Sequence, residues 1–170
     1  MKILTVNNKK EAKFLKRQTS AVDLKSLTRD QIRKLIREMR ALMKKADGVG
    51  LSANQIGVDR RLFVAQIPAA DGSGNKFYAV INPEILKRSK EVVILEEGCL
   101  SIPDTFGAVA RSEKITIAGF DASGKKVKIK AWGLLARVFQ HEVDHLSGIL
   151  FTDKAKDIKK ILLSPQGKHV

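Results

Sequence analysis

The chain has 170 residues, 44% of them apolar, and its 32 Lys/Arg against 18 Asp/Glu give a net charge of +14. A chain of this length buries a core without staples, its lone cysteine, Cys99, has no internal disulfide partner, and apolar runs such as residues 79–81 fall far short of a membrane span. A disulfide scaffold and a membrane-spanning protein are thereby excluded as readings, the residues from Met1 to Asn7 do not read as a signal peptide, and a reducing compartment is expected.

The charge is unevenly spread. Residues 1–45 carry 14 Lys/Arg against 4 Asp/Glu, residues 46–120 carry 8 against 9, and residues 121–170 carry 10 against 5. Basic ends of this kind attract RNA or another polyanion without sequence preference, and equally make a solubilising surface. With no aromatic residues interleaved, sequence-specific RNA readout is not expected.

In chain order, residues 2–6 read as a strand and a polar basic segment runs to about Ser26. Leu27, the N-cap Thr28 and Gln31 then start a helix, in which Ile32, Leu35, Ile36, Met39, Leu42, Met43 and Ala46 recur at helical spacing until Gly48. Short β-like runs follow at 62–67, 77–81, 91–95, 114–119 and 125–131, separated by turns such as Asp71-Gly72-Ser73-Gly74 and Ala122-Ser123-Gly124. A second helical stretch lies between Gly133 and Gly148, and a short Lys-rich helix is expected at about 154–163. Helices and strands segregate rather than alternate. The expected fold is therefore α+β, with short antiparallel strands around a central metal-binding helix, an N-terminal helix and a short C-terminal helix, in one domain over residues 1–170.

The sharpest chemical signal is Gln140-His141-Glu142-Val143-Asp144-His145. Residues four apart face the same side of a helix, so both imidazoles can bind one cation while Glu142 stands beside its water. Leu134 and Val138 share that stripe, which makes the ligand face also the buried face. A catalytic metal usually takes three protein ligands. A third histidine ten residues after the first would fall at 151, which is Phe151, and no glutamate follows Glu142. Cys99, in Glu97-Gly98-Cys99-Leu100-Ser101, is the strongest remaining candidate, although lone cysteines are commonly inert core residues. A third element, Gly48-Val49-Gly50-Leu51-Ser52-Ala53-Asn54-Gln55, loosely matches a dinucleotide fingerprint; a helix precedes it where that fingerprint needs a strand, so no nucleotide cofactor is expected. Its glycines let backbone approach a ligand, and Gln55 offers an amide donor to a developing oxyanion.

Taken together, the Gly-rich loop ending in Gln55, Glu97-Gly98-Cys99-Leu100-Ser101 and Gln140–His145 resemble the three ordered motifs of the peptide deformylases. The likeness extends over roughly residues 27–153, including Asn82-Pro83-Glu84, Ser101-Ile102-Pro103 and Leu146-Ser147-Gly148. It implies Cys99, His141 and His145 as ligands of one divalent metal, most often Fe(II), with nickel, cobalt or zinc able to replace it. Glu142 would be the acid/base, Gln55 and the Leu100 N–H would polarise a formyl oxygen, and Glu97 and Arg111 would form a supporting ion pair. The implied reaction removes the formyl group from the N-terminal methionine of nascent peptides, in the cytoplasm or an organellar matrix. Val49, Gly50, Leu95, Leu134 and Val138 would bind the substrate. The basic termini, Lys154, Lys156, Lys159 and Lys160 among them, would touch the ribosome or its RNA. The chain departs from the family in Ser52, where alanine is usual, in Asn7-Asn8-Lys9-Lys10, where a Pro-Asp stretch is usual, and in Phe106, where some members carry arginine. Outside that resemblance, a cysteine hydrolase pairing Cys99 with a histidine, another metallopeptidase and a non-catalytic RNA binder remain open. A chelator separates the first of these from a metalloenzyme.

Overall fold

The computed structural model describes residues 1–26, 28–69 and 72–161. Asn8 accepts hydrogen bonds from the Lys10 and Glu11 N–H groups and so starts α1 (Lys9–Leu15), a helix inside the segment read as irregular. The expected strand at residues 2–6 does not form and the segment joins no sheet. Its Leu4 and Val6 N–H groups instead donate to the Gln55 and Ser101 carbonyls, at 2.7 and 2.9 Å, so the segment is pinned across two loops. Thr28 and Gln31 form the expected reciprocal cap of α2 (Arg29–Lys45), while Leu27 lies outside the described residues.

The strands are β1 (Gly50–Ser52), β2 (Leu62–Pro68), β3 (Asn75–Arg88), β4 (Val92–Cys99), β5 (Ile102–Ser112), β6 (Lys114–Phe120), β7 (Lys126–Trp132) and, after α3 (Gly133–Leu146), β8 (Lys156–Lys160). A five-stranded sheet runs β1-β2-β3-β6-β7 and a three-stranded sheet runs β4-β5-β8, every pairing antiparallel. An α+β fold with a central helix is therefore observed. The short C-terminal helix is not: Lys156, Lys159 and Lys160 pair with Ala108, Phe106 and Thr105, so a sheet edge overrides the helical propensity of lysine. Leu162 and Leu163 lie outside the described residues.

Alternation along β2 sets the layers. Leu62 and Val64 face α2, meeting Ile32, Leu35, Ile36, Met39 and Met43, whereas Phe63, Ala65 and Ile67 face Ala136, Phe139, Val143 and Leu146 of α3. Phe63 and Phe139 meet with ring centroids 5.2 Å apart, tilted by 59°, a geometry worth about 0.5–1.5 kcal/mol beyond the area buried. A third cluster of Leu15, Ile102, Val109, Leu150 and Phe151 joins α1 to β5. Gly148, just beyond α3, takes φ +74°, and a Cβ there would strike the Lys16 carbonyl. The glycine thus lets the chain turn against α1 immediately after the metal-ligand candidate His145.

Candidate metal centre and its cleft

His141 and His145 stand one turn apart on α3, and Cys99 closes β4 opposite them. The Cys99 Sγ lies 3.1 Å from His145 Nε2, which lies 3.2 Å from His141 Nε2. All three donor atoms fall within 4.8 Å of one another, and a thiolate with two imidazoles suits a divalent transition metal. The sequence-based candidates thus converge on one point.

Glu97 is two residues before Cys99, so both side chains leave β4 on the same face, towards α3. Its Oε1 accepts from Arg111 Nε (2.8 Å) and an Arg137 terminal nitrogen (2.6 Å). Its Oε2 accepts from the other edge of Arg111 (2.8 Å) and from His141 Nδ1 (3.0 Å). This last bond leaves the proton of neutral His141 on Nδ1 and turns the Nε2 lone pair to the shared point. Arg111 also donates to Asp144, which accepts from Lys154 Nζ as well. Burial pushes the Glu97 carboxyl up, but hydrogen bonds from Arg111 and His141 outweigh it and hold the group well below the usual carboxylate range.

The donor groups shift one another's protonation. Burial pushes the Cys99 thiol up, yet the charge of His145 and the bond to His141 bring it well below its ordinary value. Burial pulls His141 down, yet bonds to Cys99 and Glu97 raise it to about 10. Glu142 is 3% exposed and raised by burial, with the two imidazoles opposing the rise; its Oε2 has no partner among the described residues.

Gln55 sits in the 3₁₀ turn Ala53–Ile56. Its Oε1 accepts from the Ser52 N–H (2.9 Å) and lies 2.9 Å from the Ser52 hydroxyl. That arrangement directs its Nε2 towards Ser101 Oγ (3.1 Å) and Cys99 Sγ (3.5 Å).

These groups line a cleft of about 780 Å³ whose walls include Val49, Gly50, Leu100, Phe106, Leu134 and Val138. Leu134 sits 51% exposed, so this part of the α3 stripe is the cleft rim rather than core. Leu95, expected in the substrate pocket, lies on the same alternation of β4 as Glu97 and Cys99 but beyond the stretch from Glu96 to Cys99 that lines the cleft, and is 54% exposed. Sequence reasoning missed Arg137 and the role of Asp144. The available signal was an arginine four residues before His141, within an otherwise apolar stretch of the ligand-bearing helix, where a buried guanidinium requires a carboxylate.

Gly50 passes so close to the acid that a Cβ would strike Glu142 Oε1 and crowd Val138. A Gly50→Ala variant is expected to fold, keep metal and lose about 100-fold in turnover through displacement of that carboxylate. Metal content and formate release measured on one preparation check this, and wild-type turnover would refute it.

The polypeptide deformylase family model matches residues 1–161. The chain belongs to the peptide deformylase family. A peptide deformylase of Symbiobacterium thermophilum is 51% identical over 130 residues; the match covers 76% of this chain and spans 58% of that relative's length. The peptide deformylase of Chloroflexus aurantiacus is 39% identical over 171 residues, covering 94% of this chain and 89% of the relative. Among solved structures, the Met-Ala-Ser-bound class I type b peptide deformylase of Acinetobacter baumannii superposes with a TM-score of 0.82 at 32% identity, over 91% of this chain and 97% of that one. The family is one of enzymes, and the Cys/His/His cluster is consistent with a metal-dependent deformylase. Among the described residues, no helix is long and apolar enough to cross a membrane.

Proposed function

We propose that residues 1–170 form a single catalytic domain that hydrolyses the formamide at the N-terminus of formyl-methionyl nascent peptides, releasing formate and a free amine. The observation that carries this reading is the convergence of Cys99, His141 and His145 beside the buried, half-partnered Glu142 carboxylate at the floor of an open cleft. In this reading Cys99, His141 and His145 hold the metal, Fe(II) in the cell, with nickel, cobalt or zinc as substitutes. A bound divalent cation supplies Lewis acidity and lowers the pKa of water.

The chain's own groups do the rest. Gln55 Nε2 and the Leu100 N–H donate to the formyl oxygen as it gains charge. Glu142 takes a proton from the attacking water and hands it to the departing nitrogen. Glu97, held by Arg111, fixes the His141 ring. Val49, Gly50, Leu134 and Val138 form the apolar seat for the methionine side chain, in keeping with the Met-Ala-Ser held by the Acinetobacter relative. A formyl carbon bears only hydrogen, so a tight floor admits it and rejects bulkier acyl groups. The enzyme works in the cytoplasm or an organellar matrix, with transient contact between its basic termini and the ribosome or its RNA.

The deciding assay is formate release from a formyl-methionyl tripeptide. Turnover is expected, to be lost with a strong chelator and regained on adding Fe(II) or nickel. Activity that survives full metal removal would instead favour a Cys99 nucleophile. Replacing Cys99 by serine exchanges a thiolate for a poor ligand, and is expected to lower metal retention at least tenfold on elemental analysis after dialysis. Unchanged metal content would remove the sulfur from the ligand set.

A further inference from the structure

The five-stranded sheet is covered on one side by α3, while the α2 cluster covers the other side over β1–β3 and reaches β6 at Phe120. Beyond α2 the second side continues onto β6 and the edge strand β7. There Lys126, Lys128, Lys130 and Trp132 project together, paired with Phe120, Ala118, Thr116 and Lys114. The three β7 lysines are exposed and Trp132, the only tryptophan in the chain, is 58% exposed. With Lys87 and Lys114, five lysines share this face with one acid, Glu84, and none of the five enters an ion pair among the described residues.

From this juxtaposition we propose that the β6–β7 face binds a single-stranded stretch of RNA, its phosphates along the lysine row and a base stacked on Trp132. Alternate residues of a strand are about 6.7 Å apart, a straight cationic row commensurate with successive phosphates of an extended nucleic-acid strand. Lysines on an edge strand also discourage edge-to-edge aggregation. That role needs no large aromatic residue exposed on the same face, whereas Lys and Trp together are what a sequence-tolerant RNA platform requires. Leu134, two residues beyond Trp132 in the chain, lines the cleft, whereas Trp132 and the lysine row do not.

Fluorescence anisotropy of a labelled, mixed-sequence 15-nucleotide RNA, titrated with the metal-loaded protein at several salt concentrations, tests this. Wild type is expected to bind and to show quenching of its one tryptophan. The triple variant K126Q/K128Q/K130Q should bind at least tenfold more weakly, with a log–log salt slope shallower by about 2. W132A should lose about tenfold with little change in slope. R33Q/K34Q/R37Q removes equal charge from α2 and should cost less than threefold. Formate release by the β7 variants should match wild type. Equal losses from the α2 and β7 variants, or an unquenched tryptophan, would overturn the proposal. So would binding to phosphatidylserine vesicles without binding to RNA, which would assign the face to lipid.

Discussion

Replacing Glu142 by alanine is expected to leave the metal in place and reduce deformylation by at least 10²–10⁴-fold, about the span that a positioned general acid–base contributes. The residue is not one of the three converging donors, so its removal takes nothing from the ligand set. What it removes is a carboxylate placed to move a proton. Burial raises its pKa while the neighbouring imidazoles restrain the rise, which brings the group towards the balance an acid–base needs. Glu142→Gln sharpens the test, because it keeps the shape and the hydrogen-bonding capacity and loses only the ability to carry a proton. The fall should lie in kcat, with KM for a formyl-methionyl tripeptide nearly unchanged. A glutamine variant with wild-type kcat would remove the proton-transfer role. Loss of metal from either variant would recast Glu142 as a ligand or as a support for one.

Much of this site was legible in the sequence because its geometry is local. His141, Glu142 and His145 sit on one helical turn, and Gln55 and Ser52 meet within a single 3₁₀ turn, so spacing alone sets their relative directions. Thr28 and Gln31 gave the start of α2 for the same reason. Elements fixed by long-range pairing were less visible. Residues 156–160 have the composition of a solvated helix, and only the open edge of β5 draws them into a strand. Strand β5 itself has no apolar–polar alternation clean enough to announce it, since Ala108, Ala110 and Gly107 serve where small residues are needed; a Cβ at Gly107 would strike Ala155. Leu95 illustrates the same limit. An apolar residue two before Glu97 shares that residue's side of β4, but how far along the strand the cleft reaches is set by the packing of β4 against α3 and β5, and among β4 residues its lining begins at Glu96. The charge network was half legible: the Glu97–Arg111 pair followed from the family resemblance, while Arg137, Asp144 and Lys154 join it only through the packing of α3 on β4 and β5.

That network supports the second large expectation. Arg111→Met should destabilise the metal-free fold by about 3 kcal/mol, the lower end of the cost of breaking a buried ion pair. The low end follows from what remains: Glu97 keeps Arg137 and His141, and Asp144 keeps Lys154. For a chain of this size the loss corresponds to a fall of roughly 6–12 °C in Tm. Lys154→Met is the control, because its ammonium reaches Asp144 from a side chain 39% exposed, and such a contact is worth about 1 kcal/mol or less. The pH dependence follows from Glu97. Its folded pKa lies below its unfolded one, so the stabilisation is fully present above the ordinary carboxylate range and is lost as pH falls through the folded value. Without Arg111 the folded pKa rises towards the unfolded one. The variant's deficit should therefore be largest at neutral pH and begin to shrink as pH falls through the ordinary carboxylate range, where Glu97 of the unfolded chain takes up a proton while the folded wild type still holds the pair. Urea unfolding of both proteins at pH 7 and pH 4 measures the difference, and a deficit that grew on acidification would mean that Glu97 is not held ionised by Arg111.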